Sequence, residues 1–164
     1  MDSSTDVTLA PWSEGDFWLL ERTNAPEMTD HLGGPESEEQ LVDRHRRYLT
    51  LDERGRMFRI TQGGASVGTI GYWEREWRGR AVWETGWGVL PEFQGRGIAV
   101  AAARLAVERA RAAGRHPAVH AFPSVDHPAS NTICRKAGFE LLGEVDFEYP
   151  KGSWLKSNDW RVEL

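Results

Sequence analysis

Two glycines separated by one residue, Gly95 and Gly97, lead from a strand-like run ending at Leu90 into a helix-like run that Gly97 begins. The stretch is Gln94-Gly95-Arg96-Gly97-Ile98-Ala99. First-turn N–H groups of a helix have no intrahelical partner, and the helix dipole favours negative charge beside them. Glycine removes the Cβ that would hold a phosphate off the backbone. The loop is therefore predicted to hold a phosphorylated cofactor. A second cluster lies just upstream. Trp73, Trp77, Trp83 and Trp87 fall within fifteen residues, half of the eight tryptophans of the chain, and Glu84 stands among them. Such a cluster reads first as aromatic core. The alternative is a pocket for a bulky or cationic ligand, because tryptophan faces attract cations.

The totals limit what this chemistry serves. A chain of 164 residues is long enough for one domain with a proper core, so residues 1–164 are read as a single unit. Its net charge of −5 argues against nucleic acid as a partner. No apolar run has transmembrane length, so no membrane partner is expected. Met1 to Asp6 is polar and is expected to be flexible rather than a signal peptide. The single cysteine, Cys134, makes no internal disulfide, which fits a cytoplasmic protein. No Cys/His spacing suggests a metal.

The elements that must position these residues follow from periodicity and punctuation. Val7 to Trp12 reads as a first strand, and Glu14 to Arg22 as a short helix with Phe17, Leu20 and, at the margin, Trp18 turned inward. A loop runs through Pro26 and His31 to Pro35. Ser37 followed by Gln40 is a capping-box pattern, with Glu38 and Glu39 suited to the first turn. Leu41, His45, Tyr48 and Leu49 then recur at helical spacing. Strands over Met57 to Gln62, Ser66 to Glu74 and Ala81 to Leu90 are separated by Gly63-Gly64 and Arg78-Gly79, a pattern of antiparallel hairpins. The helix from Gly97 to Ala113 places Ile98, Ala101, Ala102, Leu105 and Ala112 on one face. A strand over Ala118 to Phe122, a helix over Pro128 to Ala137 ended by Gly138, and strands over Phe139 to Tyr149 and Asp159 to Leu164 complete the chain. This order is α+β: a mixed, mostly antiparallel sheet of about six to seven strands with about four helices.

Two spaced patterns resemble one family. Gln94-Gly95-Arg96-Gly97-Ile98-Ala99 is similar to the Q/R-x-x-G-x-G/A loop of the GNAT superfamily of N-acetyltransferases. Downstream, Asn131 and the Lys136-Ala137-Gly138-Phe139 ending resemble that superfamily's closing helix. Trp83 to Pro91 looks like the preceding strand, especially in the branch acetylating N-termini of ribosomal proteins and in related small acetyltransferases. The order of elements agrees from about Val7 to Leu164. One departure stands out: His127 occupies a position where relatives often carry Asn.

The resemblance implies the acyl-CoA N-acyltransferase fold, with two central parallel strands, Ala81 to Leu90 and Ala118 to Phe122, splaying around acetyl-CoA. It implies acetyl transfer to an amine acceptor, a small molecule or a protein N-terminus, by direct attack in a ternary complex. Gly88, Val89 and Leu90 would pair with the pantetheine arm, a form of strand addition, with Gly86 and Gly88 at a bulge. Gln94, Gly95, Arg96, Gly97, Ile98 and Ala99 would seat the pyrophosphate, and Asn131 would hold the cofactor or the helix start. The Val89 amide would donate to the carbonyl oxygen as it gains charge. Ser130 would serve the leaving thiolate, against the alternative that it caps a helix turn.

Glu84 is the first candidate for the base, since burial beside tryptophans raises a carboxylate pKa. The alternative for Glu84 is a structural pair with an arginine. Glu148 and His120 follow as bases. His31, Trp73, Trp83 and Trp87 would line the acceptor pocket. Cys134 reads as a small core residue, Arg96 as a possible phosphate ligand and Arg104 as a solvated helix face. A non-catalytic acyl-CoA sensor of the same fold is the alternative function. A Rossmann dinucleotide site fits poorly, because the loop follows the fourth strand and lacks the third glycine of G-x-G-x-x-G. The chain is expected to be a monomer or a homodimer.

Overall fold

The computed structural model describes residues 6–148 and 151–164. The expectation of a flexible amino terminus falls, apart from Asp6, outside the described residues, as does Tyr149 at the end of one expected strand. Among these described residues, seven strands form one sheet: β1 (Val7–Pro11), β2 (Gly55–Gln62), β3 (Ala65–Trp77), β4 (Arg80–Val89), β5 (Ala118–Ala121), β6 (Glu140–Glu148) and β7 (Trp154–Glu163). Their spatial order is β1-β2-β3-β4-β5-β7-β6. All neighbours are antiparallel except β4 and β5. Five α-helices accompany the sheet: α1 (Phe17–Thr23), α2 (Pro26–Thr29), α3 (Glu38–Leu49), α4 (Ile98–Ala113) and α5 (Pro128–Lys136).

Several local predictions hold to the residue. Ser37 and Gln40 form both halves of the capping box that starts α3. Gly97 is the N-cap of α4, and Pro128 opens α5. Other expectations are corrected. The first helical segment is a single 3-10 turn (Glu14–Asp16) followed by α1, and it buries Leu19 and Leu20 while Trp18 is exposed. The last strand begins at Trp154 rather than Asp159.

The sheet separates two cores. On one face, α4 and α5 cover Phe58, Ile60, Val67, Ile70, Tyr72, Trp83 and Val119. The buried stripe of α4 is Ile98, Ala102, Ala103, Ala106, Val107 and Ala110. It is turned from the expected stripe, so Ala112 faces solvent. Small side chains let this helix lie close to the sheet, and a larger residue at Ala106 would cost about 1–3 kcal/mol in overpacking. On the other face, α1 and α3 bury Trp12, Leu19, Leu20, Leu41, Met57 and Leu90.

Candidate active site

The central feature is the short seam between β4 and β5. These parallel strands pair only at Trp83↔Val119 and Glu84↔His120. Beyond Glu84 they separate, while β4 continues to Val89. The β4 edge is thereby left without a partner strand on that side. An antiparallel ladder turns the backbone groups of alternate residues toward alternate neighbours. Leu90 N donates to Val67 O at 2.9 Å, and β3 and β4 keep their register throughout. Leu90, Gly88 and Gly86 therefore turn toward β3, and Val89, Trp87 and Thr85 turn into the gap.

This parity corrects two expectations. Leu90 has no backbone group to spare: its carbonyl also accepts from Phe93 N, and its side chain is in the core. Gly88 faces the cleft without aiming its N–H into it. Nor do Gly86 and Gly88 mark a bulge. A Cβ at Gly86 would stand 3.2 Å from the Trp73 ring, so this glycine makes room for the indole.

At the open end of the gap lies the glycine loop. Gly95 and Gly97 both have positive φ, 78° and 77°. A Cβ on Gly95 would meet nothing within 4 Å, so the space above it is open. The first helical bond of α4 is Ala101 N to Gly97 O, which leaves the N–H groups of Ile98, Ala99 and Val100 without intrahelical acceptors. Gln94 braces the loop by donating from Nε2 to Val89 O at 2.9 Å. Arg22 on α1 grips Glu92 with two bonds, 2.7 and 2.9 Å. Gln94, Gly95, Gly97, Ile98 and Ala99 line the cleft. Arg96 does not; its guanidinium lies over Phe93. Lys136, the first residue of the Lys-Ala-Gly-Phe ending of α5, also lines the cleft and brings a cation to it. Arg104, expected to be solvated, ties α4 to α5 through the Lys136 carbonyl.

The cleft encloses about 1110 Å³ and runs from this loop past the seam to Phe147 and Leu155. Glu84 lines it, facing away from the α4 side. Burial pushes its carboxyl above the ordinary range, and the charge and hydrogen bond of Arg75, with a bond from Trp73, pull it part of the way back. Arg75 Nη1 is 3.0 Å from Glu84 Oε1. Glu84 is thus both paired with an arginine and a buried carboxylate in a cleft. Arg75 carried no sequence signal, because its partner lies across a hairpin rather than at helical spacing.

Ser130 lines the cleft from α5. The N-cap of this helix is His127, so Ser130 lies one turn in and is not the cap. His31, Trp73 and Trp87 also line the cleft. His31 stacks on His127 with ring centroids 4.3 Å apart and planes 9° from parallel. Burial, and then the charge of His31, hold the His127 imidazole below its usual pKa.

Four further candidates are displaced. Trp83 is 1% exposed on the α4 face, packed edge-on against Tyr72 and His116, because period-2 alternation sends it opposite to Glu84. Asn131 is spent on protein groups. Its Nδ2 donates to Ser124 O and His127 O, and its Oδ1 accepts from Asn158 and Trp160. It holds the start of α5, the second of its two expected roles. Glu148 is exposed on β6 and accepts from Gly152 N at the following turn. His120 is buried against Asp159, 2.6 Å away, and does not line the cleft. Cys134 is core, its thiol pushed up to about 12 by burial. Among the described residues no cluster of His, Cys, Asp or Glu is arranged to hold a metal ion. No helix among them is long and apolar enough to cross a membrane.

Comparison with known proteins agrees with this geometry. The acetyltransferase (GNAT) domain model matches residues 6–140. A spermidine N-acetyltransferase from Vibrio cholerae, solved with CoA and spermine, is 18% identical, with a TM-score of 0.78 over 97% of this chain and 96% of that one. The Salmonella typhimurium acetyl transferase that modifies the N-terminal serine of ribosomal protein L7/L12 is 21% identical, with a TM-score of 0.77 over 98% and 96%. The aminoglycoside acetyltransferase AAC(6')-Ib, solved with coenzyme A, is 20% identical, with a TM-score of 0.76 over 96% and 94%. These likenesses establish the fold. No curated protein sequence matches the chain.

Proposed function

The chain belongs to the GNAT acetyltransferase family, and from that premise we propose that it moves the acetyl group of acetyl-CoA onto an amine with both substrates bound together. The observation that carries this reading is the seam at Glu84: an unpaired strand edge, an anion-binding helix start and a buried carboxylate meet in one cleft. That CoA is bound in the structural relatives supports the choice of donor.

The residues present fit that donor. Open space above Gly95 and the free N–H groups of Ile98, Ala99 and Val100 suit a pyrophosphate, with Lys136 adding a charge-assisted contact. The backbone of Thr85, Trp87 and Val89 suits an extended amide-bearing arm laid along β4. When bound, acetyl-CoA supplies an activated acetyl thioester.

The remaining work belongs to this chain. An amine attacks only after losing its ammonium proton, and Glu84 is the group positioned to take it, directly or through one water. Its elevated pKa brings it nearer to that task. The Val89 N–H points into the gap, where the thioester oxygen gains negative charge. Ser130 holds a hydroxyl proton for the departing sulfur. As the N–C bond forms and the C–S bond breaks, the ammonium proton rests on Glu84 and later passes to solvent, while the remaining amine proton replaces the one Ser130 hands to the sulfur, so that the sulfur leaves as the thiol and Ser130 is again a hydroxyl. We place this reaction in the cytoplasm, supported by a sole cysteine that is buried and has no second cysteine in the sequence to pair with.

The test is free-thiol release from acetyl-CoA across a panel of amines, with acetyl-CoA binding measured separately by calorimetry. Glu84→Gln is expected to lower turnover by about 10²-fold or more while leaving acetyl-CoA affinity unchanged. Tight acetyl-CoA binding with no thiol release from any amine would instead identify a sensor module.

A further inference from the structure

The acceptor end of the cleft carries more aromatic surface than charge. Trp73 sits in register with Glu84 on the same face of the β3–β4 hairpin. Phe122 and Phe147 stack on each other, with centroids 4.7 Å apart, and both line the cleft. The attraction of these rings for a cation is already used within the protein. The Arg75 guanidinium lies 4.3 Å from the Phe147 centroid and 5.5 Å from that of Phe122.

The carboxylates are committed in the same way. Glu27, Glu36 and Glu84 face the cleft among the described residues. Glu36 is bonded to Arg44 at 2.7 Å, and Glu84 to Arg75 at 3.0 Å. Glu27 stands exposed on α2, at the rim. A polyamine or aminoglycoside entering this space would bring several ammonium groups to a cleft whose inner two carboxylates, Glu36 and Glu84, already hold arginines, with Glu27 left only at the rim. Desolvating an unpaired ammonium there is strongly unfavourable. One amine, which gives up its ammonium proton at Glu84, meets that penalty once, and an apolar body against the rings adds none.

The His31–His127 stack adds a size limit. It joins the turn after α2 to the β5–α5 loop, two segments that both line the cleft, and so bridges it. A bridged cleft admits a small free amine more readily than a chain end of a folded protein.

We infer that the acceptor is a small arylalkylamine-like amine, with one positive charge and an aromatic or aliphatic body, rather than a polycation. This rests on the acetyl-transfer reading for its chemistry but not for its binding test. The full-length protein saturated with CoA is titrated by calorimetry with phenethylamine, tryptamine, spermidine, kanamycin and a short peptide with a free N-terminus. Phenethylamine or tryptamine is expected to bind about tenfold tighter than the others. Phe147→Ala is expected to weaken the aryl amines by about tenfold without altering CoA affinity. Equal or tighter binding of spermidine, kanamycin or the peptide overturns the inference. So does a Phe147→Ala variant that binds aryl amines as the parent does. Failure of acetyl transfer itself shows separately, as absence of thiol release with every amine.

Discussion

Arg75 Nη1 donates to Glu84 Oε1 at 3.0 Å, diagonally across the β3–β4 hairpin, beside the last paired residues of the parallel seam. The two groups set each other's electrostatics. Burial raises the Glu84 pKa, and Arg75 is the largest opposing influence. A base works only when deprotonated, so kcat/KM should rise with pH through the Glu84 pKa. Arg75→Met removes the opposing charge, and the acidic limb of the pH profile should move to higher pH by about 1 unit or more. The measurement is kcat/KM against pH for both proteins with one acceptor. An acidic limb that stays in place, or moves lower, removes Glu84 from the role of base.

Ser130 separates a chemical role from a helix-capping one. It lies a turn inside α5, whose N-cap is His127, and its side chain faces the cleft. Ser130→Ala should therefore leave the melting temperature close to the parent's. A lost cap would cost about 1 kcal/mol. Turnover should fall about tenfold, a loss in the range of one hydrogen bond to a charged group, with little change in KM for acetyl-CoA. A variant that melts several degrees lower while turning over normally reverses the assignment.

The glycine loop makes a prediction of its own kind. Gly95 holds φ at 78° with open space where a Cβ would project. Gly95→Ala incurs left-handed backbone strain of about 1–2 kcal/mol. It also fills the space assigned to the pyrophosphate. Acetyl-CoA affinity measured by calorimetry should fall about tenfold or more, since the added methyl meets the ligand rather than the protein. Affinity equal to the parent's places the phosphates elsewhere.

What the sequence made legible was local. The capping box at Ser37, the Gly97 start of α4 and the strand–loop–helix order all depend on residues within a few positions of one another. Period-2 alternation sends Trp83 and Glu84 to opposite sides of β4, although the sequence alone puts both at the acceptor site. Which of those two sides is open depends on where α1, α3 and α4 pack, and that is a long-range fact. The same limit hid Arg75, whose partner lies on the next strand. It also hid Leu90, whose N–H is committed to Val67 on β3. His127 was noted as a departure from the family pattern, but its stacking partner His31 comes from a distant segment.

Asn131 shows how such a long-range fact is tested. Its amide fills four hydrogen bonds, joining the β5–α5 loop at Ser124 and His127 to Asn158 and Trp160 on β7, all at 2.8–2.9 Å. The side chain is buried, so removing it strands the Asn158 and Trp160 donors, while the Ser124 and His127 carbonyls keep their bonds from His127 N and Asn131 N. Asn131→Ala should lower unfolding free energy by about 2–4 kcal/mol, read from urea denaturation. Asn131→Asp should be about as costly, because a carboxylate repels the Ser124 and His127 carbonyls it replaces as partner. Trp160→Phe removes one donor and should cost about 1 kcal/mol. Combined with Asn131→Ala it should add less than its separate value, because the shared bond is already gone. If Asn131 instead bound the cofactor directly, Asn131→Ala would weaken acetyl-CoA binding while leaving the urea midpoint in place. Its saturated partners predict the reverse order of effects: a large loss of stability, and a change in cofactor affinity only as far as the start of α5 loosens.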